Sequence, residues 1–368
     1  MCNGISRGSF LAAAGAAALP LIAAPVSAAE LPAIPKGLSA GNAYAAQLAR
    51  NSHFIRTQYG GALRLVHSIS DPHLRADVLD LLANPVPKYA RKYQTAQERT
   101  ALRDALAAAG FIRPGDPVSG IFPPGTDGSA VVQPFWSAPG SAYDSHHSYP
   151  GGLLVHELFN SRIAEHFAQT YNLEYFSGQR QIDRDLVIAA AFYHDIMKTV
   201  VFQFNEDGSL LPELQIAGTG GHHCLSGAEA IARGHDARFV TVLLSAHAAP
   251  SLGDEVKVAQ WCRAAAMIAD VDPVEYGLLD RTGNLAGLPT IEAFISNLSD
   301  HDYVLSVHAM QHVSTRVETL SPWLAGTYNA RWWRHRVLAN ASGIALYEVL
   351  ARDGDAAFVS AVHKAAKA

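Results

Sequence analysis

Histidine and aspartate recur in the second half of this chain at positions that suit one shared chemistry. His156, the adjacent pair His194 and Asp195, the pair His222 and His223, then His247 and Asp270 follow in that order. Counting His223 as the third member, the intervals are 38, 29, 24 and 23 residues, each long enough for one helix and its loop. Neutral imidazole binds divalent transition metals at about 2.0 to 2.1 Å, and a carboxylate can bridge two ions roughly 3.5 to 4 Å apart. His194 and Asp195 sit inside the apolar run IAAAFYHDI, where a polar pair is costly to bury unless something pairs it. Lys198 lies four residues after His194, about one helical turn further along the same face. With no thiolate in the set, Fe, Mn and Zn are all admissible.

Helices must position these groups. Leu153, Leu154, Leu158, Ile163 and Phe167 form a buried helical stripe carrying His156. Asp183 or Asp185 caps the next helix, which runs through Leu186 and Phe192 to the His-Asp pair. A third helix begins near His222 and His223, a fourth covers 237–247, and a fifth runs from Asp254 to Asp270. Upstream, Ser70, Asp71 and Pro72 cap a helix that Asn84 and Pro85 stop, and Thr95 with Glu98 has capping-box spacing before a helix ending at Gly110. Residues 114–152 differ, with seven prolines at 114, 117, 123, 124, 134, 139 and 150 and little apolar periodicity. Phe135 and Trp136 argue for a loop that packs, either as a lid over the site or as a plain connector. No period-2 run long enough for a sheet is present, so the expected class is all-α.

The ordered set resembles the HD-domain metal-dependent phosphohydrolase superfamily. The strings that carry the resemblance are PGGLLVH at 150–156, FYHDIMK at 192–198, GHHCLSGAEAI at 221–231, LLSAH at 243–247 and AAAMIAD at 264–270. It covers about residues 146–280, under half the chain, and PGGLLVH is similar to the opening of the subgroup that includes certain exoribonucleases. The resemblance implies an HD-type helical bundle with two divalent ions: Asp195 as the bridge, His156, His194 and Asp270 completing one site, His223 and His247 holding the second ion. His223 is preferred to His222 because Gly227, four residues on, matches the family spacing. Such a pair of ions would acidify a bridging water for attack on a phosphate ester, and Lys198 resembles the family lysine that meets substrate phosphate. Met197 stands where the family commonly has glycine, so substrate shape does not carry over. A diiron oxygenase with the same ligand order, and a non-catalytic metal- or ligand-binding module, are the alternative expectations.

Composition is that of a globular protein, and the resemblance implies a small phosphorylated substrate. Of 368 residues 49% are hydrophobic and 17% charged, and the net charge of −5 advertises no nucleic-acid surface. Arg7, an apolar run over 10–24 and small residues at Val26, Ser27 and Ala28 read as a signal peptide over 1–28, giving a periplasmic or secreted protein. The run SRGSFL is similar to a twin-arginine motif but has Gly8 in place of the second arginine. The expected organisation is a helical region over 29–112, a Pro/Gly-rich connection over 113–145, the metal-binding core over 146–280, and C-terminal helices over 281–368. His146 and His147 read as exposed loop histidines, or as groups beside the metal or substrate. His308 and His312 read as ordinary helix residues. Residues 331–336 read as a helix that buries its tryptophans and solvates its arginines, with a phosphate platform as the alternative. Cys224 and Cys262 are two buried thiols or one bridge.

Overall fold

The computed structural model describes residues 28–128, 130–177, 181–251, 253–322 and 329–368, and the fold is all-α. The expected leader lies outside the described residues except for Ala28. Helices α1 (Ala40–Asn51), α2 (His53–His67), α3 (Pro72–Ala83) and α4 (Ala96–Ala108) precede the proline-rich stretch. Then come α5 (Gly152–Tyr171), α6 (Arg184–Tyr193), the single turn α7 (Lys198–Val201), α8 (Gly221–Ala232), α9 (Ala237–Leu244) and α10 (Glu255–Ala269). The chain closes with α11 (Ile291–Ser299), α12 (Tyr303–Thr319), α13 (Ala330–Ala341) and α14 (Gly343–Lys367). A two-residue antiparallel ribbon, Gln215–Ile216 with Thr219–Gly220, leads into α8.

Local chemistry sets the helix ends. The Asp71 carboxylate accepts from the backbone N–H of His73 and Leu74, with Pro72 in the first turn of α3. Thr95 and Glu98 complete a reciprocal capping box at α4, at 3.2 and 2.8 Å. Asp183, rather than Asp185, caps α6 through Leu186 N–H at 3.0 Å. Asp185 instead accepts from the backbone N–H of Ser70 and Asp71, tying the start of α6 to the loop before α3.

One apolar core runs through the fold, from Leu31 to Ala366, so the helices before and after the ligand-bearing segment pack on it. Burying this surface is the main favourable contribution to folding. Close helix approach is needed at Gly227, where an added Cβ would fall 2.9 Å from Ala265 Cβ and 3.1 Å from a Leu244 methyl. Glycine there lets α8 nest between α9 and α10, which brings the start of α8 onto the site. The proline-rich stretch is packed: short 3-10 turns at Val118–Gly120 and Phe135–Ser137 punctuate it, and Phe135, Trp136, Ala138, Ser148 and Tyr149 are buried. Cys224 and Cys262 are both buried and unbridged. Among the described residues no helix is long and apolar enough to cross a membrane.

In α13 Trp332 and Trp333 are buried as expected, but Arg334, expected in solvent, is buried with them. His335 is also buried, its Nε2–H donating to the Gly208 carbonyl at 2.8 Å. Burial, aided by the neighbouring Arg334 charge, lowers its pKa to about 3. A histidine in the unfolded chain titrates near 6.5. Between those values the unfolded chain binds a proton that the folded chain does not, so stability falls as pH drops from about 6.5 toward about 3. His335→Gln retains an N–H donor without the titration. Urea unfolding at pH 7 and pH 4 should show a smaller acid loss in the variant than in the wild type; equal losses contradict the assignment.

Candidate metal centre

Asp195 follows the last turn of α6, and its buried carboxylate meets the Lys198 ammonium on Oδ2 and faces imidazole nitrogens on both oxygens. Oδ1 lies 3.0 Å from His222 Nε2 and 3.3 Å from His247 Nε2. Oδ2 lies 3.1 Å from His156 Nε2 and 3.4 Å from His194 Nε2. The two oxygens therefore face different histidine pairs. His194, the C-cap of α6, donates Nδ1–H to the Ala191 carbonyl at 2.7 Å, with Glu157 Oε2 3.1 Å from the same nitrogen. That leaves Nε2 as the nitrogen free to take a proton or a metal ion, facing carboxylate oxygens. His222 is held in the same way: its Nδ1 donates to Glu213, leaving Nε2 toward Asp195 without a partner. A carboxylate orienting the far nitrogen of a ligating histidine is a recurrent feature of metal sites.

Asp270 is not part of this cluster. It caps α10 in a left-handed conformation, φ 57°, which turns its side chain outward, 77% exposed and 3.7 Å from Lys92 Nζ. The carboxylate among the histidines is Asp300, at the end of α11. Its Oδ1 is 3.2 Å from His156 Nε2 and 3.3 Å from His194 Nε2, and its Oδ2 is 3.2 Å from His247 Nδ1. Asn160, one turn along α5 from His156, donates to Asp300 Oδ1 at 2.9 Å. The sequence signal for Asp300 was the polar run Asp300-His301-Asp302 closing the amphipathic helix after Asn297.

Both members of the His222 and His223 pair reach the centre. His223 stacks on His247, ring centroids 3.4 Å apart, and pairs through Nδ1 with the Thr219 hydroxyl of the ribbon. Donor atoms of Asp195, His222, His223 and His247 lie within 4.8 Å of one another, as do those of His156, His194 and Asp300. Lys198 is buried, its ammonium contacting Asp195 and donating to the Gly140 carbonyl at 2.6 Å, with His146 Nε2 at 3.4 Å. The loop histidines are not exposed pendants. His147 is buried with Nε2 3.0 Å from Asp302, and His146 lines the cleft beside His156, ring centroids 5.0 Å apart. That cleft, of about 710 Å³, opens over Lys198, His222, His223, His247 and Asp300, with Phe202, Trp261 and Tyr303 on its walls.

Electrostatics fit a cation. Burial opposes charge on Asp195, but Lys198, His194 and His222 outweigh it and hold the carboxyl well below the ordinary range. Asp300 and Glu213 are likewise held low against burial by the surrounding histidines. Burial opposes an imidazolium at His194, but Glu157, Asp195 and Asp300 prevail and raise its pKa well above normal. His222 and His156 are raised for the same kind of reason. Three ionised carboxylates around one ammonium demand further positive charge, which protons on the rings or metal ions in their place can supply. The unpartnered nitrogens and carboxylate oxygens are ordinary ligands for Fe, Mn or Zn.

No family model matches the chain, and no solved structure matches it. A curated protein similar to part of it is the dihydroneopterin 2',3'-cyclic phosphate phosphodiesterase of Methanocaldococcus jannaschii, 41% identical over 64 residues. The match covers 17% of this chain and 24% of that protein, so the chain spans about a quarter of the relative's length.

Because ligands must be deprotonated, metal binding here competes with protons, and the raised values at His156, His194 and His222 extend that competition upward from about pH 6.5. Metal affinity should rise with pH through neutrality. Calorimetric titration with Mn2+ or Zn2+ in buffers of differing ionisation enthalpy should show net proton release; uptake or no proton change would contradict this arrangement.

Proposed function

We propose that this chain is a metal-dependent phosphoester hydrolase of HD type, with phosphodiesters as its substrate class and two divalent ions in its site. The observation that carries the reading is the division of Asp195, one oxygen toward His222 and His247, the other toward His156 and His194. His223 joins the first set and Asp300 the second, in the place expected of Asp270. The partial likeness to a cyclic-phosphate phosphodiesterase supports the same chemistry. Bound divalent ions would acidify water and neutralise charge developing on the phosphoryl group.

The protein's own part is positioning and charge. Glu213 and the Ala191 carbonyl fix the tautomers of His222 and His194 so that each offers Nε2. Lys198 lines the cleft and places its ammonium next to the Asp195 carboxylate, where a phosphoryl oxygen would be stabilised. The burial of Asp195, His156 and His194 strengthens each of these interactions.

The test pairs elemental analysis with hydrolysis of a 2',3'-cyclic phosphodiester in the presence of Mn2+, Fe2+ or Zn2+. Wild-type protein is expected to hold two ions, His247→Ala one and Asp195→Ala none, with hydrolysis lost in the last. Lys198→Met should retain metal yet lose turnover by about 10²-fold. Unchanged metal content in both ligand variants would overturn the site. Substrate consumption that requires dioxygen and reduced iron, with no ester cleaved, would overturn the hydrolase reading.

A further inference from the structure

The arginine that the α13 sequence suggested as solvated is wholly buried, and its side chain reaches the loop that carries His146 and His147. One guanidinium nitrogen, Nη2, donates both to the Tyr143 carbonyl and to Ser148 Oγ, the latter at 2.8 Å. The guanidinium lies 4.0 Å from the centroid of the Tyr143 ring, and the Tyr143 hydroxyl donates to Glu318 near the end of α12. The Ser148 hydroxyl also donates to the Tyr143 carbonyl, closing the 143–148 turn on itself. None of Arg334, Glu318 or Tyr143 lines the cleft, whereas Ser141, Ala142, Ser145 and His146 do.

The turn held in this way has a conformation it would not adopt unaided. His147 has φ 49°, in the left-handed region that non-glycine residues rarely occupy. Strain of that kind persists only where the surroundings over-determine it. Here the His147 carbonyl accepts from Gly140 N–H at 2.9 Å and Tyr149 N–H at 2.8 Å, while its ring is held by Asp302 and the Tyr149 hydroxyl. A Cβ at Gly152 would fall 1.8 Å from that carbonyl oxygen, so the first residue of α5 also limits where the turn can sit. The result places His146 Nε2 beside Lys198 and its ring beside His156.

Resting on the phosphoester-hydrolase reading, we propose that Arg334 is a positioning residue, which clamps the 143–148 turn so that His146 is presented to the cleft beside Lys198. The guanidinium lays its planar face on the tyrosine ring while Nη2 meets both acceptors; lysine offers a point charge without the planar face. Arg334 acts through His146 and meets no substrate itself.

Arg334→Met and Arg334→Lys are compared with His146→Gln and with the Arg334→Met/His146→Gln double variant. Hydrogen exchange of the metal-loaded protein should show amides of 141–149 opening about tenfold more readily in Arg334→Met, less so in Arg334→Lys, with 188–198 unchanged. Metal content should match the wild type. With a 2',3'-cyclic phosphodiester, Arg334→Met and His146→Gln should each lower kcat by about 10²-fold with little change in KM, and the double variant should be no slower than His146→Gln. Unaltered exchange in 141–149, exchange raised throughout the fold, or multiplying losses in the double variant would each overturn the proposal. If the wild type cleaves no phosphoester with any metal, the functional reading fails, and the exchange data alone then decide whether Arg334 clamps the turn.

Discussion

A surplus of buried negative charge organises this molecule. Asp195, Asp300 and Glu213 converge beside the cleft, with the Lys198 ammonium against Asp195. Charges of one sign in a low-dielectric interior are tolerated only with compensating charge close by. Among the histidines around them, His194 and His222 have their Nδ1 held by a carbonyl and a carboxylate, so their Nε2 atoms point inward at oxygen. Such an arrangement is unfavourable when empty and unprotonated and becomes favourable once divalent cations occupy it.

The backbone contributes in the same direction. His194 caps the C-terminus of α6, His247 lies in the turn directly after α9, and Asp300 caps α11. Helix C-termini carry partial negative charge and favour cations within the last turn. Three short helices thus end at one place, while α5 and α8 supply His156, His222 and His223 from near their beginnings. Gly227 permits the close packing that brings α8 to the shared centre. The cover is made by the proline-rich stretch, whose buried aromatic residues anchor it to the core and whose 141–146 segment borders the cleft.

Helix caps and apolar stripes were legible because they are local: Asp71, Thr95 with Glu98, and Asp183 each act within a few residues of themselves. His156, His194, Asp195 and His247 were legible for a related reason, since each sits at a predictable point on a helix of predictable length. Asp270 satisfied the same spacing rule, but the left-handed cap of α10 rotated it to solvent, a backbone choice that spacing does not encode. The acid that takes its place is reached only after an irregular stretch over 271–290 and one more helix. His146 and His147 lie in a segment without periodicity, so their placement depends on contacts from α5, from the turn before α12 and from α13 that are distant in the chain. Arg334 is buried where the α13 pattern suggests solvation, because an arginine following two tryptophans, with Arg331 and Arg336 nearby, carries no sign of a loop waiting to receive it.

Anomalous diffraction from crystals of the manganese-loaded protein tests the central claim most directly. Two peaks roughly 3.5 to 4 Å apart should flank the Asp195 carboxylate, one beside His222, His223 and His247, the other beside His156, His194 and Asp300. A single peak remote from Asp195, or no peak among these residues at saturating metal, would contradict the account.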